Sequence, residues 1–266
     1  MRYTFRFGFA VVLSLVLTLM LAAGCSEGGG EGGNGGTAGT GGSAGTGGTA
    51  GVDTVPLSVR ITGFGGDGFL GPLEGVEICE FGTNNCVMTD DGGNATIDLP
   101  IDEEVVFTTV KEGYVSYLHA GVVPAVPLNV RFGMSDHTRM SYLHDLVMSP
   151  YPMEGTGEVL IINADLDQSP GPFPGATLEL TGSTGKGFYY SEEGDWDPDL
   201  TATTSYSLGP WGGFTEVSPG EVEITWGGTA EDCILFKGWP SEKENTMRLP
   251  VMEGFITFAD VTCPSQ

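Results

Sequence analysis

Histidine and basic side chains are scarce in this chain of 266 residues. There are three His and ten Lys and Arg against 35 Asp and Glu, so the formal net charge is −25. A charge of this sign repels phosphate, which argues against nucleic-acid binding and against attraction to anionic lipid headgroups. The length suffices for one large domain or two small ones.

The histidines do not form a recognisable catalytic zinc site. Such a site needs nitrogen and carboxylate ligands around an open water position, and none of His119, His137 and His144 begins a His-x-x-Glu pattern. His137 and His144 stand seven residues apart on a predicted helix, where they could hold a metal with Asp136 or Asp145. A solvated helix face is the favoured interpretation.

No serine-hydrolase motif occurs in the strand-rich part of the chain. Beyond the Gly-rich segment near the N-terminus, the sequence contains no Gly-x-Ser-x-Gly, the pattern that presents a nucleophilic serine on a sharp strand-to-helix turn. We therefore predict that the protein is not an enzyme. A hydrolase with an unrecognised site is the alternative.

The first 24 residues have the layout of an export signal. Arg2 and Arg6 precede an apolar run over 9–21, and Leu21-Ala-Ala-Gly leads to Cys25. The pattern resembles a bacterial lipoprotein signal, although Ala22 stands where that family usually has Leu. The resemblance implies cleavage before Cys25 and attachment of diacylglycerol to its sulfur. Ordinary cleavage and an uncleaved anchor are alternatives, but the run is shorter than the roughly 20 residues of a membrane span.

Lipid at Cys25 would place the protein in the cell envelope, with the lipid bilayer as its partner. Ser26 follows the cysteine instead of the Asp that acts as a retention signal in some bacteria, which favours the outer membrane over the inner one. Residues 26–51 contain 14 Gly in 26 positions. Such a segment is a flexible linker with a reach of roughly 28 Å, so we expect a folded body held away from the membrane.

From residue 52 the sequence predicts an all-β fold. Short alternating or β-branched runs are separated by Gly, Pro, Asp and Asn, as in Val55-Pro-Leu-Ser-Val-Arg-Ile and Glu221-Val-Glu-Ile-Thr-Trp. The density of strands predicts two tandem antiparallel β-sandwiches, over 52–133 and 154–266.

The connector at 134–153 carries a helical pattern. Ser135 or Asp136 can cap the first turn, and Pro150 follows the last one. The apolar residues that share one face are Met140, Leu143, Leu146 and Val147.

The first predicted sandwich resembles the carboxypeptidase regulatory-like domain, a transthyretin-like sandwich. The matching marks, in order, are Gly75-Val-Glu-Ile-Cys79, Thr89-Asp90 with Gly92, Leu99-Pro100 and Lys111-Glu-Gly-Tyr114. The second predicted sandwich carries related marks at Pro174-Gly-Ala-Thr-Leu178 and Val217-Ser-Pro-Gly-Glu-Val222. This resemblance implies a transthyretin-like fold. It is not taken to imply peptidase activity, because no histidine pattern fits a catalytic zinc site.

Four cysteines remain if Cys25 carries lipid. In an oxidising compartment they are expected to form disulfides. Pairing within each sandwich, Cys79 with Cys86 and Cys233 with Cys263, is the simplest of the three possible connectivities.

Two features could bind a ligand in the second sandwich. Alternating oxygen ligands suit calcium, and they occur at Asp165 and Asp167 and again at Asp195, Asp197 and Asp199. Solvated acidic loops are the favoured interpretation. Trp196 and Trp211 could stack on a sugar or a peptide if they are exposed, although packing in the core is favoured.

The sequence therefore predicts a non-catalytic, lipid-anchored envelope protein that acts in adhesion, scaffolding or ligand binding. A surface protein or a polysaccharide is the expected partner, and no resident cofactor is predicted. The alternatives are a carbohydrate- or calcium-dependent binding module and the unrecognised hydrolase.

Overall fold

The computed structural model describes residues 53–66, 68–165, 174–205 and 210–263. The predicted signal peptide, Cys25 and the Gly-rich linker lie outside these ranges, so the predictions made for them are not tested. Within the described ranges, no helix is both long enough and apolar enough to span a membrane.

The described residues begin with eight strands. They are β1 (Thr54–Gly65), β2 (Gly68–Pro72), β3 (Glu77–Glu80), β4 (Cys86–Met88), β5 (Asn94–Pro100), β6 (Glu104–Val110), β7 (Ser116–Val122) and β8 (Leu128–Ser135).

A helix and ten further strands follow. They are α1 (His137–Leu146), β9 (Gly157–Asp165), β10 (Ala176–Thr181), β11 (Lys186–Tyr190), β12 (Trp196–Asp197), β13 (Pro210–Val217), β14 (Gly220–Gly228), β15 (Ile234–Lys237), β16 (Trp239–Pro240), β17 (Thr246–Val251) and β18 (Phe255–Cys263).

These strands form three sheets. In the first outer sheet, β1 pairs with β5 and then β2 along one edge, and with β8 in parallel along the other. The central sheet has ten strands, in the order β12-β11-β13-β9-β18-β7-β6-β3-β4, with β15 beside the end of β18. The second outer sheet has the order β10-β14-β17-β16.

The two outer sheets cover opposite faces of the central sheet. On β9, Leu160 packs into the core under the first outer sheet, whereas its neighbours Val159 and Ile161 pack into the core under the second. On β18, Ile256 lies in the first core and Val261 in the second. Successive side chains of a strand point to opposite faces, so these central strands are buried on both sides. This double burial explains their nearly continuous apolar sequences.

The all-β prediction is confirmed, and the structure adds how the two predicted sandwiches are joined. Strand β18, from the second, pairs in parallel with β7, from the first, so one sheet contains strands of both. Strand β18 also pairs in parallel with β9, and β1 with β8. The sequence predicted antiparallel pairing throughout, because alternation along a strand does not report its neighbour's direction. The domain boundaries stay a prediction.

Helix α1 lies where the connector pattern predicted it. The Asp136 carboxylate caps it by accepting a hydrogen bond from the Arg139 amide at 2.7 Å. Met140, Leu143 and Val147 are buried in the first core. The helix therefore packs its predicted apolar face against the sandwich.

Both disulfides join the expected cysteines. Cys79 and Cys86 occupy directly opposite positions on β3 and β4. Cys233, just before β15, is bonded to Cys263 at the end of β18, and both are buried. The disulfide that closes the longer loop therefore joins the start of β15 to the end of β18.

Gly213 on β13 is packed closely against β9, so a substitution there tests the packing of these two strands. A Cβ at this position would lie 1.9 Å from the Val159 carbonyl oxygen. We expect Gly213→Ala to lower the free energy of unfolding by about 2–3 kcal/mol, because the two strands must move apart. Gly121→Ala on β7 is the control, since its Cβ would meet nothing within 4 Å, and it should change stability by at most about 1 kcal/mol. Equal effects of the two substitutions in urea unfolding would contradict the β13–β9 packing.

Candidate functional site

A cleft of about 350 Å³ opens beside the first turn of α1. We call it the α1 cleft. It lies among the start of α1, the segment before β7, the loop between α1 and β9, and the turn between β17 and β18. Its lining residues are Tyr114, Val115, Ser116, His137, Tyr151, Pro152, Met153, Glu154, Glu253 and Gly254.

A histidine and a tyrosine meet at one wall of the α1 cleft. His137 is the first residue of α1, and its Nδ1 lies 2.5 Å from the Tyr151 hydroxyl. Burial raises the pKa of Tyr151 to about 12, and the nearby carboxylates of Glu158 and Asp136 act in the same direction. Tyr151 is therefore neutral at physiological pH, and its hydroxyl can take part in a hydrogen bond with His137.

Two glutamates also line the α1 cleft. Glu253 accepts a hydrogen bond from the Gly155 amide at 2.8 Å through Oε1, and Glu154 is exposed. The Gly254 amide donates to the Thr156 carbonyl at 2.9 Å, so the loop of Glu154 and the turn of Glu253 are tied together. Among the described residues that line the α1 cleft there is no Lys or Arg.

A buried acid–base pair lies beneath Tyr151. His144 Nε2 is 3.0 Å from Glu158 Oε2, and the side chains are 1% and 0% exposed. The His144 ring lies 5.0 Å from the Tyr151 ring and 5.4 Å from the Trp196 ring, measured between centroids. The pair joins α1 to β9 inside the first core.

Burial is the main cause of the raised pKa values in this region. It raises the pKa of Glu158, while the hydrogen bond and the charge of His144 act in the opposite direction. Burial also raises the pKa of Tyr117 and of Tyr190. Glu158 Oε1 and His144 Nδ1 have no hydrogen-bond partner among the described residues. The local medium is therefore apolar, and a charge left unpaired there would be costly.

The structure corrects the interpretation of α1 as a solvated histidine face. His137 is exposed, but His144 points into the core and binds Glu158. His137 and His144 are seven residues apart, which is almost two helical turns, so their side chains point in nearly the same direction. At the edge of a helix face, a small difference in direction decides whether a side chain is buried. Glu158 was missed altogether. The available signal was a carboxylate inside the apolar run Gly157-Glu-Val-Leu-Ile-Ile, because a buried charge needs a partner.

His119 is also a core residue. It is buried on β7, its ring lies 4.0 Å from Phe132 and stacks 4.7 Å from Phe107, and its Nε2 lies 3.3 Å from the Thr109 hydroxyl. Burial, together with the charge of Lys237, lowers its pKa well below the usual value. His119 is therefore neutral and packs as an aromatic side chain.

A buried ion pair joins β15 to the neighbouring strand β18. Lys237 Nζ lies 3.2 Å from Asp260 Oδ2, and the side chains are 15% and 1% exposed. The ammonium also lies 5.1 Å from the centre of the Phe132 ring and 5.5 Å from that of Phe258. The aromatic rings and the carboxylate together compensate for the water that this ammonium loses.

The structure corrects the prediction that Trp196 could stack on a ligand. Trp196 is 3% exposed, and its ring stacks on Phe188 at 4.0 Å in the first core. It faces inward because β12 pairs with β11, opposite Tyr190. Trp211 lies on β13, and the structure does not describe its side chain.

The candidate calcium residues are only partly described. The Asp195 carboxylate accepts a hydrogen bond from the Tyr142 hydroxyl at 3.1 Å, and that of Asp197 accepts one from the Asp199 amide at 2.9 Å. Asp165 ends β9, and Asp167 lies outside the described residues. Within the described part of the chain, no three His, Cys, Asp or Glu side chains form a metal-binding group. Calcium binding stays an untested prediction.

The comparisons with known proteins are weak. No protein-family model and no curated protein matches the sequence, so the resemblance to the carboxypeptidase regulatory-like domain stays a prediction.

Several solved structures are similar to parts of the chain. A type II cohesin–X-dockerin complex from Acetivibrio cellulolyticus is 16% identical over 31% of this chain and 58% of its own, with a TM-score of 0.27. The shaft pilin of Lactobacillus rhamnosus GG is 13% identical over 80% of this chain and 99% of its own, with a TM-score of 0.24. A minor pilin of Streptococcus agalactiae is 12% identical over 80% and 96%, with a TM-score of 0.25. Scores this low carry no argument about function.

The His144–Glu158 pair predicts strong coupling between two substitutions. We expect His144→Leu and Glu158→Leu each to cost about 3–5 kcal/mol of unfolding free energy, because each leaves a polar partner buried alone. The double variant should be more stable than either single variant, because no orphaned group remains. Equilibrium urea unfolding of the four proteins measures the coupling. Costs that simply add would contradict the pairing.

The raised pKa of Glu158 predicts a pH dependence of stability. Above its ordinary value of 4.5, Glu158 loses its proton in the unfolded chain while the folded protein still holds it. Rising pH then favours the unfolded chain until the pKa of the folded state is passed. We expect the unfolding free energy of the wild type, measured relative to Glu158→Gln, to fall with pH in this window. A difference that stays constant from pH 4 to pH 8 would show that the pKa of Glu158 is not raised.

Proposed function

We propose that this protein is a non-catalytic component of a bacterial cell envelope that acts in adhesion or scaffolding by binding another surface molecule. The observation that carries this proposal is the burial of the His144–Glu158 pair, at 1% and 0% exposure. An acid and a base held at hydrogen-bond distance are a usual catalytic arrangement, but here they join α1 to β9. Their position supports a structural role.

The architecture also supports a binding role. The central strands are covered on both faces by the outer sheets. One disulfide crosslinks β3 to β4, and the other joins the start of β15 to the end of β18. Such a body suits an oxidising compartment. The α1 cleft is open to solvent and lined by residues from four segments, so it offers a preformed recognition surface.

The N-terminal sequence supports attachment by lipid at Cys25. The basic residues, the apolar run and the small residues before Cys25 follow the lipoprotein pattern, and residues 26–51 follow as a Gly-rich tether. Acylation with more than one chain gives stable membrane attachment. We propose the outer membrane in preference to the inner one, because Ser26 follows Cys25.

The calcium- or carbohydrate-dependent alternative has no specific support in the described residues. Trp196 is buried, and the partners of Asp195 and Asp197 are a tyrosine hydroxyl and a backbone amide. Both parts of this alternative stay predictions.

Replacement of Cys25 tests the lipid anchor. We expect Cys25→Ser to release the protein from the membrane fraction into the soluble fraction of lysed cells, because no thiol remains to accept diacylglycerol. Ser26→Ala is the matched control and should stay in the membrane fraction. Immunoblotting of the two fractions measures the distribution. Membrane association of Cys25→Ser equal to that of the wild type would refute lipidation at this residue.

A further inference from the structure

The charge distribution around the α1 cleft favours a positively charged ligand. Of the described residues, Glu154 and Glu253 line it, and no Lys or Arg does. The Asp136 carboxylate lies close enough to contribute to the raised pKa of Tyr151, so it adds to the negative potential.

The carboxylate of Glu253 is already held in place. Its Oε1 accepts the Gly155 amide proton at 2.8 Å, and the Gly254–Thr156 hydrogen bond fixes the turn on which it stands. The Glu253 side chain is exposed, and a carboxylate oxygen can accept more than one hydrogen bond, so the group can still bind a ligand. A group positioned in this way loses little entropy when it binds.

The walls of the α1 cleft suit an alkyl chain that ends in a charge. Tyr114 and Tyr151 present aromatic surface, while Pro152 and Met153 present apolar surface. Lysine and arginine bury their methylene stems against such surface and keep the charged head near carboxylates or ring faces. An aliphatic ligand without a charge would leave both carboxylates unused, and an anion would be repelled.

We propose that the α1 cleft binds a lysine or arginine side chain of a partner protein, with its cationic head between Glu154 and Glu253 and its stem against Tyr151. This inference rests on the proposed binding function and names the chemistry of the partner. The net charge of −25 would steer a basic partner surface toward the protein, which makes association sensitive to salt.

Titration with a lysine analogue tests the proposal. The full-length mature protein in detergent solution is titrated with Nα-acetyl-lysine amide and, separately, with Nα-acetyl-norleucine amide, which has an alkyl chain and no amine. Saturation-transfer NMR reports binding to the protein. We expect the lysine analogue to bind and the norleucine analogue not to bind. We also expect Glu253→Gln and Glu154→Gln each to weaken binding about fivefold, because each removes one partly exposed charge pair.

The matched control is Glu231→Gln, at an exposed position outside the α1 cleft, which should leave the dissociation constant unchanged. Three results would overturn the proposal: no binding of the lysine analogue, equal binding of the norleucine analogue, or equal weakening by Glu231→Gln. These results are independent of the fractionation of Cys25→Ser, which tests the envelope location. If Cys25→Ser remained in the membrane fraction, the measured binding of the lysine analogue would still stand.

Discussion

The burial of the central sheet on both faces is the constraint on which the rest of the structure depends. Each outer sheet packs on one face only, so neither core would be closed without the shared strands β9 and β18. A strand in this position has no solvent-exposed side for polar residues. Every polar side chain that it carries therefore needs a partner inside the protein.

The polar residues of the central sheet satisfy this requirement in different ways. Glu158 uses His144 of α1, Asp260 uses Lys237 of β15, and the Thr257 hydroxyl donates to the Pro250 carbonyl at 2.6 Å. One ionisable pair joins the central sheet to α1, and the other joins β15 to β18 within the sheet. Buried pairs of this kind contribute little net stability, but an incorrect packing would leave one partner unpaired in an apolar medium. We infer that they select one arrangement of α1 and β15.

The sequence predicts local features of this fold well and long-range ones poorly. Helix α1, its Asp136 cap and the two disulfides follow from spacing and composition, because each depends on residues that are close in sequence or on a small number of cysteines. The parallel pairing of β18 with β7 does not, since their partners are more than 130 residues apart. Trp196 is in the core, as the favoured interpretation had it, but its acidic neighbours suggest a loop. The pairing of β12 with β11, which turns its ring inward, is not visible in the sequence. The α1 cleft combines four segments, so no single motif could have indicated it.

The position of β18 has a consequence for how the chain reaches its native state. This strand is the last one described, yet it lies inside the central sheet, between β9 on one side and β7 with β15 on the other. Until residues 255–263 are in place, β7 and β9 have no strand between them, and neither core is complete. The strands that form earlier then present bare edges, which can pair with another chain.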